Sequence, residues 1–98
     1  MATNTKPYTE LLHAQLQEPE NAIEYLRACL SDPDPRVFLM ALRDVAEARG
    51  GFTEVSRRAK VSRESLYKAL SRNGNPSIKS LHAVLGAVGL RLSVEKAA

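Results

Sequence analysis

One predicted helical face in the second half of the chain combines the side chains that nucleic-acid recognition uses. In the segment Ser62-Arg-Glu-Ser-Leu-Tyr-Lys-Ala-Leu70, a helical period of about 100° per residue separates an apolar side from a polar side. The polar side offers a guanidinium, a carboxylate, a phenol and an ammonium, which suit base edges and phosphates. The members of this polar side are Arg63, Glu64, Tyr67, Lys68 and Ser71.

The elements that must position this face are predicted to be two short helices joined by a tight turn. Residues 53–59 and 62–71 form the pair, and Thr53 and Ser62 are each placed to cap the helix that follows. This arrangement is that of a helix-turn-helix, which presents its second helix to a DNA major groove. Apolar residues stand where the two helices and the turn must touch, namely Val55, Ala59, Val61, Leu66 and Ala69.

Two positions depart from the commonest helix-turn-helix pattern. Ser56 stands where a small Ala usually packs between the helices, and Lys60 stands where the turn usually has Gly. Ser is small enough for close approach, whereas Lys60 must adopt a positive φ, at a cost of about 1 kcal/mol, unless the turn differs slightly. An ordinary amphipathic helix pair with a solvated basic face remains the alternative interpretation.

The charge distribution favours a nucleic-acid partner for the second half. The net charge is +3, but residues 1–34 carry a net −4 and residues 35–98 carry a net +7. Residues 51–79 hold seven basic and two acidic side chains, and such a basic segment attracts phosphates. The acidic front has two interpretations, either helices that complete the core or a surface that docks on a basic partner.

The rest of the chain is predicted to add further short helices. Apolar stripes at helical spacing follow Pro7, Pro19, Pro35 and Ser77, and Asp34 is placed to cap the third helix. The stripes are Tyr8, Leu11, Leu12 and Leu16; Ala22, Ile23, Leu26 and Leu30; Phe38, Leu42 and Val45; and Ile78, Leu81, Val84, Leu85 and Val88.

The segment from Leu90 to Val94 alternates apolar and polar residues, which predicts a short strand that pairs with another copy or another protein. The fold class is therefore expected to be all-α, a five- to six-helix bundle with a central helix-turn-helix and a short C-terminal strand. We expect one folded domain in which residues 1–7 are disordered, 8–34 form an acidic helical segment, and 35–98 form the DNA-binding domain with the strand.

Composition excludes several other classes of function. The chain has 98 residues and a single Cys, which excludes a disulfide framework, and no apolar run approaches the length of a membrane span. Cys29 is interpreted as a small buried hydrophobe, and His13 and His82 lack neighbouring ligands at metal spacing. We therefore expect a cytoplasmic protein without catalytic activity, cofactor or metal.

The motifs of the second half resemble those of a known family. The block Ser62–Leu70, then Gly74-Asn-Pro76, then Leu85-Gly-Ala-Val-Gly-Leu-Arg-Leu-Ser-Val94 is similar to the addiction-module antidote proteins. These are HigA-type antitoxins within the Xre/Cro-like helix-turn-helix superfamily. The front also fits, with Pro19-Glu20, Tyr25-Leu26 and Asp34-Pro35, so that the resemblance covers roughly residues 8–95.

The resemblance implies a lambda-repressor-like fold and two partners. One is a small toxin of the RelE/ParE-like type, which the protein binds and neutralises. The other is a palindromic operator, which a homodimer binds to repress its own operon. Base contacts fall on Arg63, Glu64, Tyr67 and Lys68, and phosphate contacts fall on Thr53, Arg57, Ser62, Arg72, Asn75 and Lys79.

The toxin-binding surface stays open between residues 8–34 and the 90–94 strand. A repressor without a toxin, or a protein-interaction adaptor that does not bind DNA, are the alternative functions.

Overall fold

Helices make up most of the chain. The computed structural model describes residues 5–98, and within them lie six helices and no strand. The helices are α1 (Thr5–Leu16), α2 (Pro19–Leu30), α3 (Pro35–Ala48), α4 (Gly51–Ala59), α5 (Arg63–Ala69) and α6 (Ile78–Ala87). The all-helical class is therefore confirmed. None of these helices is long and apolar enough to cross a bilayer.

Two helices begin at the residues that their local sequence predicts. Asp34 caps α3 by accepting a hydrogen bond from the Arg36 amide at 3.0 Å, and Pro35 follows as the first helical residue. Ser62 caps α5 in the same way through the Ser65 amide at 3.0 Å. Both caps are as predicted.

The predicted cap at Thr53 is wrong. α4 begins earlier, at Gly51, so Thr53 is an exposed residue inside the helix. Gly50 and Gly51 both have positive φ, at 129° and 83°, and these two glycines turn the chain sharply enough to start the helix at once. α1 likewise begins at Thr5, before Pro7 instead of after it; residues 1–4 of the predicted disordered start lie outside the described residues.

The core forms around α3, which packs against α1, α2 and α4, while α4 also packs against α5 and α6. This order places an acidic layer, α1 to α3, beside a basic layer, α4 to α6. The largest side chains with almost no exposure come from both layers: Leu16, Leu42, Val45, Val55, Leu66 and Leu70.

Parts of the predicted apolar stripes lie outside this core. Tyr8 and Leu11 of α1 are 68% and 58% exposed, because α1 contacts the bundle mainly through its later residues Leu12 and Leu16. At the other end of the chain Ile78 is also exposed, since it lies in the first turn of α6.

The predicted strand at Leu90–Val94 is not confirmed. Residues 90–98 have no regular secondary structure, and the Leu90 amide donates a hydrogen bond back to the Leu85 carbonyl at 2.8 Å. Leu90 and Leu92 pack on the core, whereas Val94 is 96% exposed. One-sided packing of a single segment accounts for the alternation, and within residues 5–98 no strand lies beside it for pairing.

Arg49 joins three helix ends that are distant in sequence. Its guanidinium donates hydrogen bonds to the Val88 carbonyl at 2.8 Å, to the Gln17 carbonyl at 2.7 Å and to the Leu16 carbonyl at 3.4 Å. These carbonyls stand at the C-terminal ends of α6 and α1, and Arg49 itself ends α3. Arg49 thus satisfies carbonyls that lack a partner within their own helices, and its positive charge lies near the negative ends of the helix dipoles.

Candidate nucleic-acid interface

The turn between α4 and α5 is held by its backbone. Lys60 adopts the left-handed conformation (φ 61°, ψ 41°), as predicted from its position in the turn. Its amide donates to the Arg57 carbonyl, and the Val61 amide donates to the Ser56 carbonyl at 3.0 Å. These bonds satisfy carbonyls at the end of α4 and close the turn tightly enough for α5 to pack on α4.

Ser56 occupies the close contact expected of a small residue. It is 6% exposed, and its hydroxyl donates to the Thr53 carbonyl at 2.9 Å. The hydroxyl is thus satisfied within its own helix, so a Ser replaces the more usual Ala here without leaving a buried polar group unpaired.

An aromatic pair anchors α5 to α4. The rings of Phe52 and Tyr67 lie with centroids 4.2 Å apart, and Phe52 is 4% exposed. The Arg43 guanidinium lies over both rings, 5.9 Å from the first centroid and 5.6 Å from the second. Offset aromatic contacts and guanidinium–ring attraction each favour one position of the Tyr67 side chain. Arg43 lies on α3, and no local sequence signal indicates this contact.

The four predicted base-contacting residues all lie on α5. Tyr67 is 37% exposed, and Arg63, Glu64 and Lys68 are exposed as well. The Arg63 guanidinium lies 5.7 Å from the Tyr67 ring centroid and donates a long hydrogen bond of 3.5 Å to its hydroxyl. The structure therefore brings Arg63 and Tyr67 into contact, and it seats the Arg on a ring that the core holds in place.

Two of the predicted phosphate-contacting residues lie on α4, and only one of them is already engaged in an ion pair. Thr53 is exposed. Arg57 pairs with the Glu54 carboxylate, with Nε 3.2 Å from Oε1, and Arg58 donates to the same carboxylate at 2.8 Å. The hydrogen bond from Arg57, followed by that from Arg58, lowers the pKa of Glu54. The Glu54 carboxylate therefore partly neutralises the charge of Arg57, which is exposed, whereas Arg63 and Lys68 of α5 form no ion pair with a described residue.

The remaining predicted phosphate-contacting residues are all exposed and lie before and after α5. Ser62 uses its hydroxyl to cap α5, Arg72 and Asn75 lie in the following loop, and Lys79 lies in the first turn of α6. The Arg72 charge makes a minor contribution to the lowered pKa of Asp34, which is due mainly to hydrogen bonds with Arg36. This places Arg72 near the start of α3.

Gly74 allows that loop to close over the end of α5. A Cβ at this position would stand 2.1 Å from the Ala69 carbonyl oxygen, which no side chain tolerates. The Gly74 amide also bonds to the Ser71 carbonyl at 2.9 Å. The loop that carries Arg72 and Asn75 is therefore packed directly against the C-terminal end of α5.

A groove on the acidic layer is lined by both of the segments proposed for toxin contact. It measures about 540 Å³ and lies between α2, the start of α3 and the C-terminal segment. Ile23 and Leu30 of α2 are 36% and 61% exposed, and Leu92 lies on the opposite wall. An exposed ion pair of 3.9 Å joins Arg27 to Glu95 at its edge. The two alternatives left open by the sequence are thus parts of one surface.

The acidic layer also holds the residues that could bind a metal. Ligand atoms of His13, Asp44 and Glu47 all lie within 4.8 Å of one another. Near them, burial and then the Asp44 charge raise the pKa of the half-buried Cys29 thiol. His13 has no neighbouring ligand in sequence, so only the packing of α1 on α3 reveals this group.

Comparison with known proteins identifies the family. A family profile described as "Probable addiction module antidote protein" matches residues 9–96. An uncharacterized protein of Haemophilus influenzae strain Rd is 39% identical over 72 residues, which span 74% of this chain and 73% of that protein. No solved structure matches the chain. The matched segment contains every helix from α2 to α6 together with the groove, and the chain belongs to the family of probable addiction module antidote proteins.

Proposed function

We propose that this protein is an antitoxin that binds and neutralises a small RelE/ParE-like toxin and represses its own operon as a DNA-bound homodimer. The family supports the antidote class and hence a toxin partner. The observation that carries the DNA-binding half is the α4–α5 pair, in which a left-handed turn and an aromatic pair hold an exposed Arg63 on a capped helix. On this proposal the protein acts in the cytoplasm by binding, without catalysis.

In the proposed complex, α4 and α5 act as a helix-turn-helix and α5 enters the major groove. Arg63 lies in the first turn of α5, which is the part of a recognition helix that contacts base edges. Its guanidinium can bind O6 and N7 of a guanine in a bidentate manner. Phe52 and Arg43 hold the Tyr67 ring in place, and Arg63 lies on that ring. Arg63 therefore loses less side-chain freedom on binding DNA than an Arg without such a contact would lose.

The other exposed residues of the basic layer extend this interface. Glu64 and Lys68 reach neighbouring base edges, and the phosphate contacts come from the predicted set on either side of α5. Two such helices in a homodimer are expected about 34 Å apart, which matches one turn of DNA and a palindromic site.

Binding to operator DNA by purified variants tests this half of the proposal. Arg63→Ala is expected to weaken binding to the cognate site by about 1–3 kcal/mol and to relax discrimination at one base pair. Arg72→Ala is expected to weaken binding to all sequences and to reduce the salt dependence, because it removes a phosphate contact.

Arg91→Ala is the matched control, since Arg91 is also exposed but lies on the C-terminal segment. If the wild-type protein shows no salt-dependent DNA binding, the adaptor interpretation replaces this one.

For the toxin, we propose that the groove of α2 and the C-terminal segment is the docking surface. It combines the exposed apolar side chains of Ile23 and Leu30 with the half-buried Leu92, and its charged lining consists of Arg27, Arg91 and Glu95. A nuclease-like toxin must be basic to hold RNA, and the exposed carboxylates of Glu20 and Glu24, which lie on α2 outside the groove lining, would accelerate its association. Apolar contacts within the groove would then supply most of the affinity.

Co-purification with the product of the neighbouring gene tests the groove. Leu30→Asp is expected to abolish the complex, because it places a charge in the apolar part of the groove. Leu11→Asp is the matched control, since Leu11 is 58% exposed where Leu30 is 61% exposed, but it lies on α1. Equal loss of the complex in both variants, or loss in neither, would rule out the groove as the docking surface. The absence of a neighbouring toxin gene would favour the stand-alone repressor.

A further inference from the structure

A group of three potential ligands lies where α1 packs on α3. His13 comes from α1, and Asp44 and Glu47 come from one face of α3, three residues apart. One ligand atom of each lies within 4.8 Å of the others. His13 and Asp44 are half-buried and Glu47 is exposed, so the group opens to solvent on one side.

The three side chains do not satisfy one another. Within residues 5–98, neither His13 nor Glu47 forms a hydrogen bond or an ion pair with a described side chain. The imidazole and the two carboxylates thus lie close together, although no hydrogen bond or ion pair among the three holds them there. The imidazole belongs to a different helix from the acids, so the group is more than two neighbouring carboxylates on a helix surface.

A third helix orients one of the carboxylates. The Tyr25 hydroxyl of α2 donates a hydrogen bond of 2.7 Å to Oδ2 of Asp44. This bond fixes the rotamer of Asp44 and leaves its Oδ1 as the free oxygen. A hydrogen bond of this kind behind a carboxylate is the usual means by which proteins hold a metal ligand in position.

We propose that His13, Asp44 and Glu47 bind one zinc ion. A neutral imidazole and two carboxylates suit zinc and balance its charge, and three protein ligands leave a fourth position for water. Zinc bonds of about 2.0–2.2 Å in a tetrahedral site place ligand atoms about 3.3–3.5 Å apart. The longest of these separations must therefore shorten by up to about 1.5 Å, which the exposed Glu47 side chain can supply by rotating.

Zinc at this position would join α1 to α3. Because the unfolded chain does not bring the three ligands together, the ion stabilises only the folded protein. Zinc is therefore expected to raise the thermal midpoint by several degrees, and α1, which exposes Tyr8 and Leu11, is the element that gains most. This inference is independent of DNA and of the toxin.

Metal titration of the untagged full-length chain, stripped with a chelator that is then dialysed away, tests the site. We expect one equivalent of zinc to bind, a higher thermal midpoint, and cobalt(II) to give the visible absorption of a tetrahedral complex, whereas magnesium has no effect. His13→Gln and Glu47→Gln should each abolish the zinc and cobalt responses.

His82→Gln is the matched control, because His82 is the other histidine of the chain and lies exposed on α6. It should keep both responses. Glu47 is exposed, so the Glu47 variant reports on the site even where the His13 variant fails to fold. Absence of zinc binding to the wild type, or binding that survives both His13→Gln and Glu47→Gln, would overturn the proposal.

Discussion

The α4–α5 pair and the α1–α3 layer use their polar side chains in opposite ways. In the pair, the polar contacts are local, such as Ser62 with Ser65, and leave Glu64 and Lys68 exposed. In the layer, they cross between helices, as in Tyr25 with Asp44, which are 19 residues apart. One region is therefore built to present groups outward, and the other uses its groups to hold the fold together.

Burial distinguishes α5 from the first half of α1, and one pair of leucines tests this difference. Leu66 of α5 is 1% exposed and Leu11 of α1 is 58% exposed. Leu66→Ala is expected to lower the free energy of unfolding by about 2–5 kcal/mol, because it leaves a cavity between α5 and the core. Leu11→Ala should change it by less than about 0.5 kcal/mol. Urea unfolding of both variants provides the measurement, and similar losses would contradict the arrangement of α1.

Arg49 provides the next test, because it connects the two layers. Arg49→Ala removes hydrogen bonds to the carbonyls of Leu16, Gln17 and Val88, and it should cost about 1–3 kcal/mol of stability. Arg49→Lys should recover only part of this, since an ammonium lacks the planar fork that reaches several carbonyls at once. Unfolding in denaturant measures both, and full stability in Arg49→Lys would show that charge alone matters.

A substitution in the turn of the α4–α5 pair is expected to have the smallest effect on stability, and to increase it instead of lowering it. Lys60 has a left-handed backbone, which Gly adopts at lower cost, so Lys60→Gly should raise stability by about 0.5–1 kcal/mol. Lys60→Ala removes the same charge and keeps the strained backbone, so it should not be stabilising. Thermal unfolding compares the two, and an equal gain in both would assign the effect to charge.

The same contrast explains how much the sequence alone could predict. The caps at Asp34 and Ser62 and the left-handed Lys60 follow from residues within four positions of each other, so local patterns predict them. Helix α4 starts earlier than predicted because two consecutive glycines, not the nearby Thr53, set its first residue. The predicted strand was inferred from alternation, which a segment packed on one side also produces.

Long-range contacts account for what the sequence could not show. The Arg43 contact with Tyr67 and the grouping of His13 with Asp44 and Glu47 each join separate helices. Their residue types are ordinary for helix surfaces, and nothing in their spacing distinguishes them. The polar side of α5 is recognisable from its own residues, whereas the ring pair that positions Arg63 depends on how α4 and α5 pack.

The bonds of Arg49 also bear on the order in which the chain folds. They join residues 32 to 39 positions apart, so they can form only after α1, α3 and α6 have come together. Contacts of such high sequence separation are entropically costly to form early, so we expect them to form after the transition state. Loss of Arg49 should therefore accelerate unfolding and leave the folding rate almost unchanged, so this side chain sets the lifetime of the native state more than the time needed to reach it.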